Sequence, residues 1–197
     1  MYRQTVVVQD LDKNGARLGE FREVRDVIFS PKGDRTEQVV DKPVNTLVKL
    51  KMTEEDLRDM REIQPLLITK DNVFLYESKF RGSEQMAGVD CWILQIRPRQ
   101  IFSGNRYFDG LIWVAKTDHS VVRLEGQAVP QIETTKQQNL FAKFTTVREK
   151  VDGKFWFPVQ TFADDTLYFR SGPQRIRMMI RYANYKRFSA ETTIQYK

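Results

Sequence analysis

Apolar and polar positions alternate along most of this chain with the period of two that a strand requires, and one stretch breaks step. Thr5-Val6-Val7-Val8 is β-branched and runs into Asp12-Lys13-Asn14-Gly15, a turn whose Asn-Gly pair accepts positive φ. Residues 21–30 form a second strand, Pro31-Lys32-Gly33-Asp34 turns the chain, and residues 35–40 pair back. Strands resume further on, with predicted spans 73–81, 89–98, 106–116, 120–128, 141–151, 154–162, 174–187 and 191–196. Ala87-Gly88, Lys116-Thr117-Asp118-His119, Asp152-Gly153 and Ser171-Gly172-Pro173 mark the turns between them. Residues 131–139 read as a polar surface loop, with room for one helical turn.

The break in step spans residues 53–67. Thr53 suits an N-cap, Glu54 and Glu55 complement the helix N-terminal dipole, and Asp56 stands at the capping-box position. Leu57, Met60 and Ile63 or Gln64 follow at three-to-four spacing, and Pro65 ends the run. Residues 43–52 before it are irregular, with space for a second short helix. The expectation is one domain over residues 1–197, mainly β with an α+β character. Its antiparallel sheet of about ten or eleven strands is too wide to stay flat and must curl.

Several strands carry large apolar groups in both parities. Trp92, Leu94 and Ile96 stand against Cys91 and Ile93, and Leu111 and Trp113 against Phe108, Ile112 and Val114. A sheet with one wet face would alternate cleanly. With a single helix to cover the inside of the curl, part of the concave face is expected to lack a protein partner, which implies a cavity. Its candidate walls are Val6, Val8, Trp92, Leu94, Trp113, Met178 and Ile180, with Leu57 and Met60 on the helix as a lid. For any single one of these residues, ordinary core packing is the commoner reading.

Composition narrows the class without changing this picture. No run approaches the roughly 18 apolar residues of a membrane-spanning helix, so a water-soluble domain is expected. The net charge is +6, but the cations are scattered. Arg175, Arg177 and Arg181 share one strand parity opposite Ile176, Met178 and Ile180, as the wet face of a half-buried strand would. Phe102 to Phe108 mixes aromatic, glycine and arginine residues, yet reads as a loop entering a buried strand, so no nucleic-acid partner is expected. The single cysteine, Cys91, excludes an internal disulfide and any multi-cysteine metal site, and its apolar neighbours suggest a buried thiol.

Chemistry is sparse. The one histidine, His119, sits beside Asp118 in a turn, without a nucleophile to serve. Glu54-Glu55-Asp56 reads as helix-start carboxylates and Asp164-Asp165 as turn residues. Arg81-Gly82-Ser83 and Arg170-Ser171-Gly172-Pro173 lack the lysine and following helix of a phosphate loop. No catalytic residue, cofactor or metal is expected.

Three segments resemble outer-membrane lipoprotein-sorting (LolA/LolB-like) proteins. Arg106-Tyr107-Phe108-Asp109-Gly110-Leu111-Ile112-Trp113-Val114, a polar turn through Asp118, and Val121-Val122-Arg123-Leu124-Glu125-Gly126 are similar to one strand pair of that family. Gly88-Val89-Asp90-Cys91-Trp92-Ile93-Leu94 resembles the strand before it, and Val151-Asp152-Gly153-Lys154-Phe155-Trp156-Phe157-Pro158 a later hairpin. Ala115 stands where an aspartate is common in the family. The resemblance implies an unclosed half-barrel with one or two short helices in its concave mouth. It further implies a non-catalytic periplasmic protein holding lipid or lipoprotein acyl chains, with a membrane surface or an envelope protein as further partners. The alternative is a structural or protein-interaction module of the same fold with a filled interior, such as an envelope-stress sensor domain. Tyr2-Arg3-Gln4 lead straight into a strand, which fits either a cytosolic chain or a mature periplasmic one whose leader has been removed. The resemblance implies the second.

Overall fold

The structure, a computed structural model, describes residues 1–30, 34–66, 68–69, 72–133 and 138–186. In chain order the elements are β1 (Tyr2–Leu11), β2 (Arg17–Phe29), β3 (Arg35–Val39), β4 (Val44–Asn45), α1 (Glu54–Glu62), β5 (Tyr76–Met86), β6 (Val89–Pro98), β7 (Tyr107–Ala115), β8 (Val121–Val129), β9 (Ile132–Glu133), β10 (Gln138–Asn139), β11 (Phe144–Val151), β12 (Phe155–Phe169) and β13 (Gly172–Ala183). Eleven of the strands make one sheet in the order β3-β2-β1-β13-β12-β11-β8-β7-β6-β5, with β4 also on β2. Every pairing in it is antiparallel. Among the described residues β3 and β5 are not joined to each other, so the curved sheet is an unclosed half-barrel, and it carries one α-helix.

Period-two patterning sets the two faces. Gln4, Val6 and Val8 of β1, Ile176, Met178, Ile180 and Tyr182 of β13, and Phe144, Thr146 and Arg148 of β11 are all buried on the concave side. Their neighbours Gln9, Arg175, Arg177 and Arg181 point the other way. Met60, Ile63 and Leu66, from α1 and the turn after it, join the concave core. A smaller convex cluster gathers Cys91, Trp113, Ala115 and Val122 with Ile93, Leu111 and Trp156. The ends of the chain meet: β1 pairs with β13 from Arg3↔Ala183 to Leu11↔Arg175, and Lys186 N–H donates to the Met1 carbonyl at 2.9 Å.

Gly110 and Gly126 face each other across the β7–β8 ladder. A Cβ on either would stand 2.2 Å from a backbone carbonyl oxygen of the opposite strand, with the Phe108 ring edge at 2.8 and 2.7 Å. The aromatic ring lies across the bare backbone where side chains would otherwise be.

Four expectations change. Residues 43–52 hold no helix: β4 pairs with β2, and the Val48 and Lys49 N–H groups donate to the buried Asp10 carboxylate at 2.9 and 2.7 Å. A side-chain acceptor from β1 satisfies that backbone, so helical bonds are not needed. The strand expected over 154–162 runs on to Phe169, because Asp164 is opposite Arg177 in mid-strand and pairs with both Arg175 and Arg177. The loop expected over 131–139 contains the short β9–β10 pair. The strand expected to start at Val73 begins instead with a 3₁₀ turn, Val73–Leu75. The strand expected over 191–196 lies outside the described residues.

Candidate ligand-binding site

The helix α1 lies in the concave mouth as a plug, and its sequence explains both ends. Thr53 and Asp56 complete a capping box: Asp56 N–H donates to Thr53 Oγ1 at 3.3 Å, and Thr53 N–H donates to Asp56 Oδ2 at 2.8 Å. At the other end the helix carbonyls run out of intrahelical donors, and the sheet supplies them. Gln4 Nε2 donates to the Met60 carbonyl at 3.0 Å, and Thr146 Oγ1 to the Gln64 carbonyl at 2.7 Å. Arg148 Nη2 donates to the Pro65 carbonyl at 3.0 Å and also to that of Leu66. Thr146 and Thr161 hydroxyls are 2.6 Å apart and Thr161 continues to the Tyr182 hydroxyl at 3.1 Å, so the polar groups under the plug form one connected seam.

A buried ion pair fixes the middle of the helix. Arg106 reaches Asp59 with Nε–Oδ1 at 3.0 Å and Nη2–Oδ2 at 2.7 Å, and both side chains are at most 5% exposed. The same guanidinium lies 4.1 Å from the centroid of the Phe141 ring. Burial pushes the Asp59 carboxyl up, against the downward pull of Arg106.

Between α1 and the sheet remains a cavity of about 50 Å³, lined by Val8, Met60, Ala128, Phe141, Phe144 and Met178 among others. Small-molecule sites usually measure about 300 to 1,000 Å³, so this one holds a water or two and no acyl chain. A larger hollow of about 420 Å³ runs along β5 and β6, but Glu77, Ser78, Lys79, Arg81, Gln95 and Arg97 line it and none of the candidate apolar residues does.

Of the nine residues singled out from the sequence, Val6, Val8, Met60, Met178 and Ile180 stand in the concave core, with Leu57, Trp92 and Leu94 half-buried against it. Trp113 does not join them. The register pairs it with Ile93, one step out of phase with Trp92 and Leu94, so it belongs to the convex cluster and donates from Nε1 to Glu84 at 3.0 Å. The concave flank formed by Trp92 and Leu94 continues to Phe80, paired with Leu94 and 61% exposed.

No protein-family model matches the chain, and no curated protein matches it. Three solved structures share its course. A DUF1329 family protein from Desulfovibrio piger is 15% identical, covering 98% of this chain and 87% of its own, with a TM-score of 0.40. A proposed outer membrane lipoprotein-sorting protein domain from Vibrio parahaemolyticus is 11% identical over 98% and 86%, at 0.42. A LolA superfamily protein from Nitrosomonas europaea is 12% identical over 93% and 84%, at 0.37. At these scores the likeness assigns no role to any residue of this chain.

The sequence reading passed over Gln4, Asp59, Arg106, Thr146 and Arg148, which hold the plug. A signal was present for three of them: Gln4 is in phase with Val6 and Val8, and Thr146 and Arg148 are in phase with Phe144. Polar side chains at core positions need partners, and here the partners are helix carbonyls. Among the described residues, no group of three or more His, Cys, Asp or Glu is placed to hold a metal, and no helix is long and apolar enough to cross a membrane.

On the convex side Cys91 is fully buried, and burial pushes its thiol up. A thiol kept neutral and covered reacts only when the β6–β7 region opens. Labelling with a maleimide is therefore expected to be negligible in native buffer and complete in denaturant. Rapid native labelling would show that this cluster is loosely packed.

Proposed function

We propose that this chain is a non-catalytic binding protein whose concave face takes an acyl chain, from a lipid or a lipid-modified protein, in place of α1. The observation that carries this reading is the composition of the plug's seat. An apolar wall is covered by a short helix whose main polar holds are hydrogen bonds to the carbonyls of Met60 and of the turn after it, Gln64 to Leu66, and one ion pair. Gln4, Thr146 and Arg148 are donors that water or a ligand oxygen can satisfy when the helix leaves, so the main polar cost of undocking is the separation of Arg106 from Asp59.

The apolar exchange is of the right size. Withdrawing Met60, Ile63 and Leu66 forfeits about 1.5 to 3 kcal/mol each, and an acyl chain returns about 0.8 kcal/mol per methylene. Roughly six to eleven methylenes offset the loss, which one fatty chain supplies. The half-buried Trp92 and Leu94, with the exposed Phe80 beside them, give such a chain an approach that needs no prior opening. A periplasmic setting belongs to the same reading, and fractionation of the native host tests it.

Native mass spectrometry of the purified protein, followed by organic extraction, is the direct test. Adducts of acyl-chain mass are expected, lost in Leu94→Asp on the concave flank and kept in Phe162→Asp on the exposed convex side. A clean mass with no uptake of laurate or a lipopeptide would sink the proposal. That result would favour the second reading, a protein-interaction module, which the nearly filled interior already supports. Such a module associates with a partner in a concentration-dependent way and needs no displacement of α1.

A further inference from the structure

Among the described residues, Arg148 is the one buried arginine with no carboxylate beside it. Arg25 pairs with Glu23 and Glu37, and Arg106 with Asp59. Arg148 is only 5% exposed, yet among the described residues no carboxylate pairs with it, and its Nε has no acceptor at all. Its acceptors are two neutral carbonyls, both on the segment that follows α1. Burial lowers its pKa to about 10, which still leaves a cation at neutral pH. A buried cation held only by neutral acceptors is a poor arrangement for stability alone, and a fork of N–H donors is the preferred receptor for a carboxylate or phosphate.

We infer that Arg148 is the head-group site: in the ligand-bound form its guanidinium takes the anionic oxygens of a single-chain amphiphile in place of the Pro65 and Leu66 carbonyls. This rests on the acyl-chain reading above and specifies which amphiphiles that site accepts. The geometry supports the match. Arg148 and Phe144 lie four residues apart in one parity of β11, about 13 Å along the strand. Phe144 lines the residual cavity with Met178 and Val8. A chain with its head on Arg148 therefore lays its tail along the seat of α1 and into that cavity. An anionic oxygen adds a charge–charge attraction to Arg148 that the neutral carbonyls of Pro65 and Leu66 lack, so an anion outcompetes them for the same nitrogen. Their release frees the C-terminal end of the plug, and head-group recognition and plug displacement become one event.

Laurate, dodecyl phosphate and dodecanol, which share a tail and differ in head, separate the possibilities. Binding is measured by titration calorimetry on the wild type, Arg148→Gln and Arg148→Lys, with circular dichroism to verify the fold of each. Glutamine keeps a donor for the carbonyls and removes the charge; lysine keeps the charge. The wild type is expected to bind an anionic probe at least about ten-fold more tightly than dodecanol. Arg148→Gln should erase that preference, leaving the anionic probes and dodecanol with equal affinity for the same variant, and Arg148→Lys should restore part of it. Preference for laurate alone or for dodecyl phosphate alone identifies the head as carboxylate or phosphate, and either supports the assignment. Equal affinity for all three in the wild type, or a preference that survives in Arg148→Gln, overturns it and leaves the acyl-chain reading standing. Failure of all three to bind the wild type overturns both.

Discussion

Arg106→Met is expected to weaken docking of the helix plug by about 3 to 5 kcal/mol, because it strands the Asp59 carboxylate in a buried site. The methionine fills much of the same space and can still pack on Phe141, so the loss comes chiefly from the unpaired charge. Adding Asp59→Leu should therefore recover most of it, a non-additivity that a double-mutant cycle measures directly. Hydrogen exchange is the readout: α1 amides should lose protection in Arg106→Met while β1 and β13 keep theirs. Equal losses in the single and double variants would mean that the apolar contacts of Met60 and Ile63, not the ion pair, hold the helix. The pH dependence has a definite sign. Burial raises the Asp59 pKa above its value in an undocked helix even beside Arg106, so protonation favours the docked form. As far as Asp59 is concerned, docking is strongest below the ordinary carboxylate pKa and weakens as pH rises through the raised one. Arg106→Met should widen that window upward.

The second large effect is backbone-borne. Gly110→Val or Gly126→Val should destabilise the domain by about 3 kcal/mol or more, read from urea unfolding, because the new Cβ meets a carbonyl oxygen of the partner strand at 2.2 Å. Trimming the neighbouring ring with Phe108→Ala should not rescue either variant, since the backbone contact remains. Rescue would show that the ring, and not the strand, sets the limit.

Much of the fold was legible because the signals were local. The strands from Thr5 to Val8 and from Val121 to Ala128, the Asn14-Gly15 and Asp152-Gly153 turns, and the Thr53/Asp56 start of the helix each follow from residues close together in sequence. Facing was harder. Strands β6 and β7 are joined through residues 99–106, too long a connection to fix register, so nothing local said that Trp113 would pair with Ile93 and leave Trp92 on the other side. A bulge between Trp113 and Val114 shifts the phase again on the β8 side. Asp164 illustrates the opposite error: an Asp-Asp pair resembles a turn until Arg175 and Arg177, on the next strand, are brought beside it. The seat of the plug depends on contacts such as Gln4 to Met60 and Arg148 to Leu66, which only the assembled sheet creates.

The pairing of β1 with β13 also governs how the molecule can be made. Residues 2–11 leave the ribosome well before their partner in residues 172–183. Loop closure over such a separation is slow compared with forming the β1–β2 or β5–β6 hairpins, so the two halves of the sheet form first and join last. During that interval the free edge of β1 and the uncovered side chains of Val6, Val8 and Met178 are available to neighbouring nascent chains. Yield should then fall with expression rate, and a holding chaperone acting before the last strand emerges should restore it.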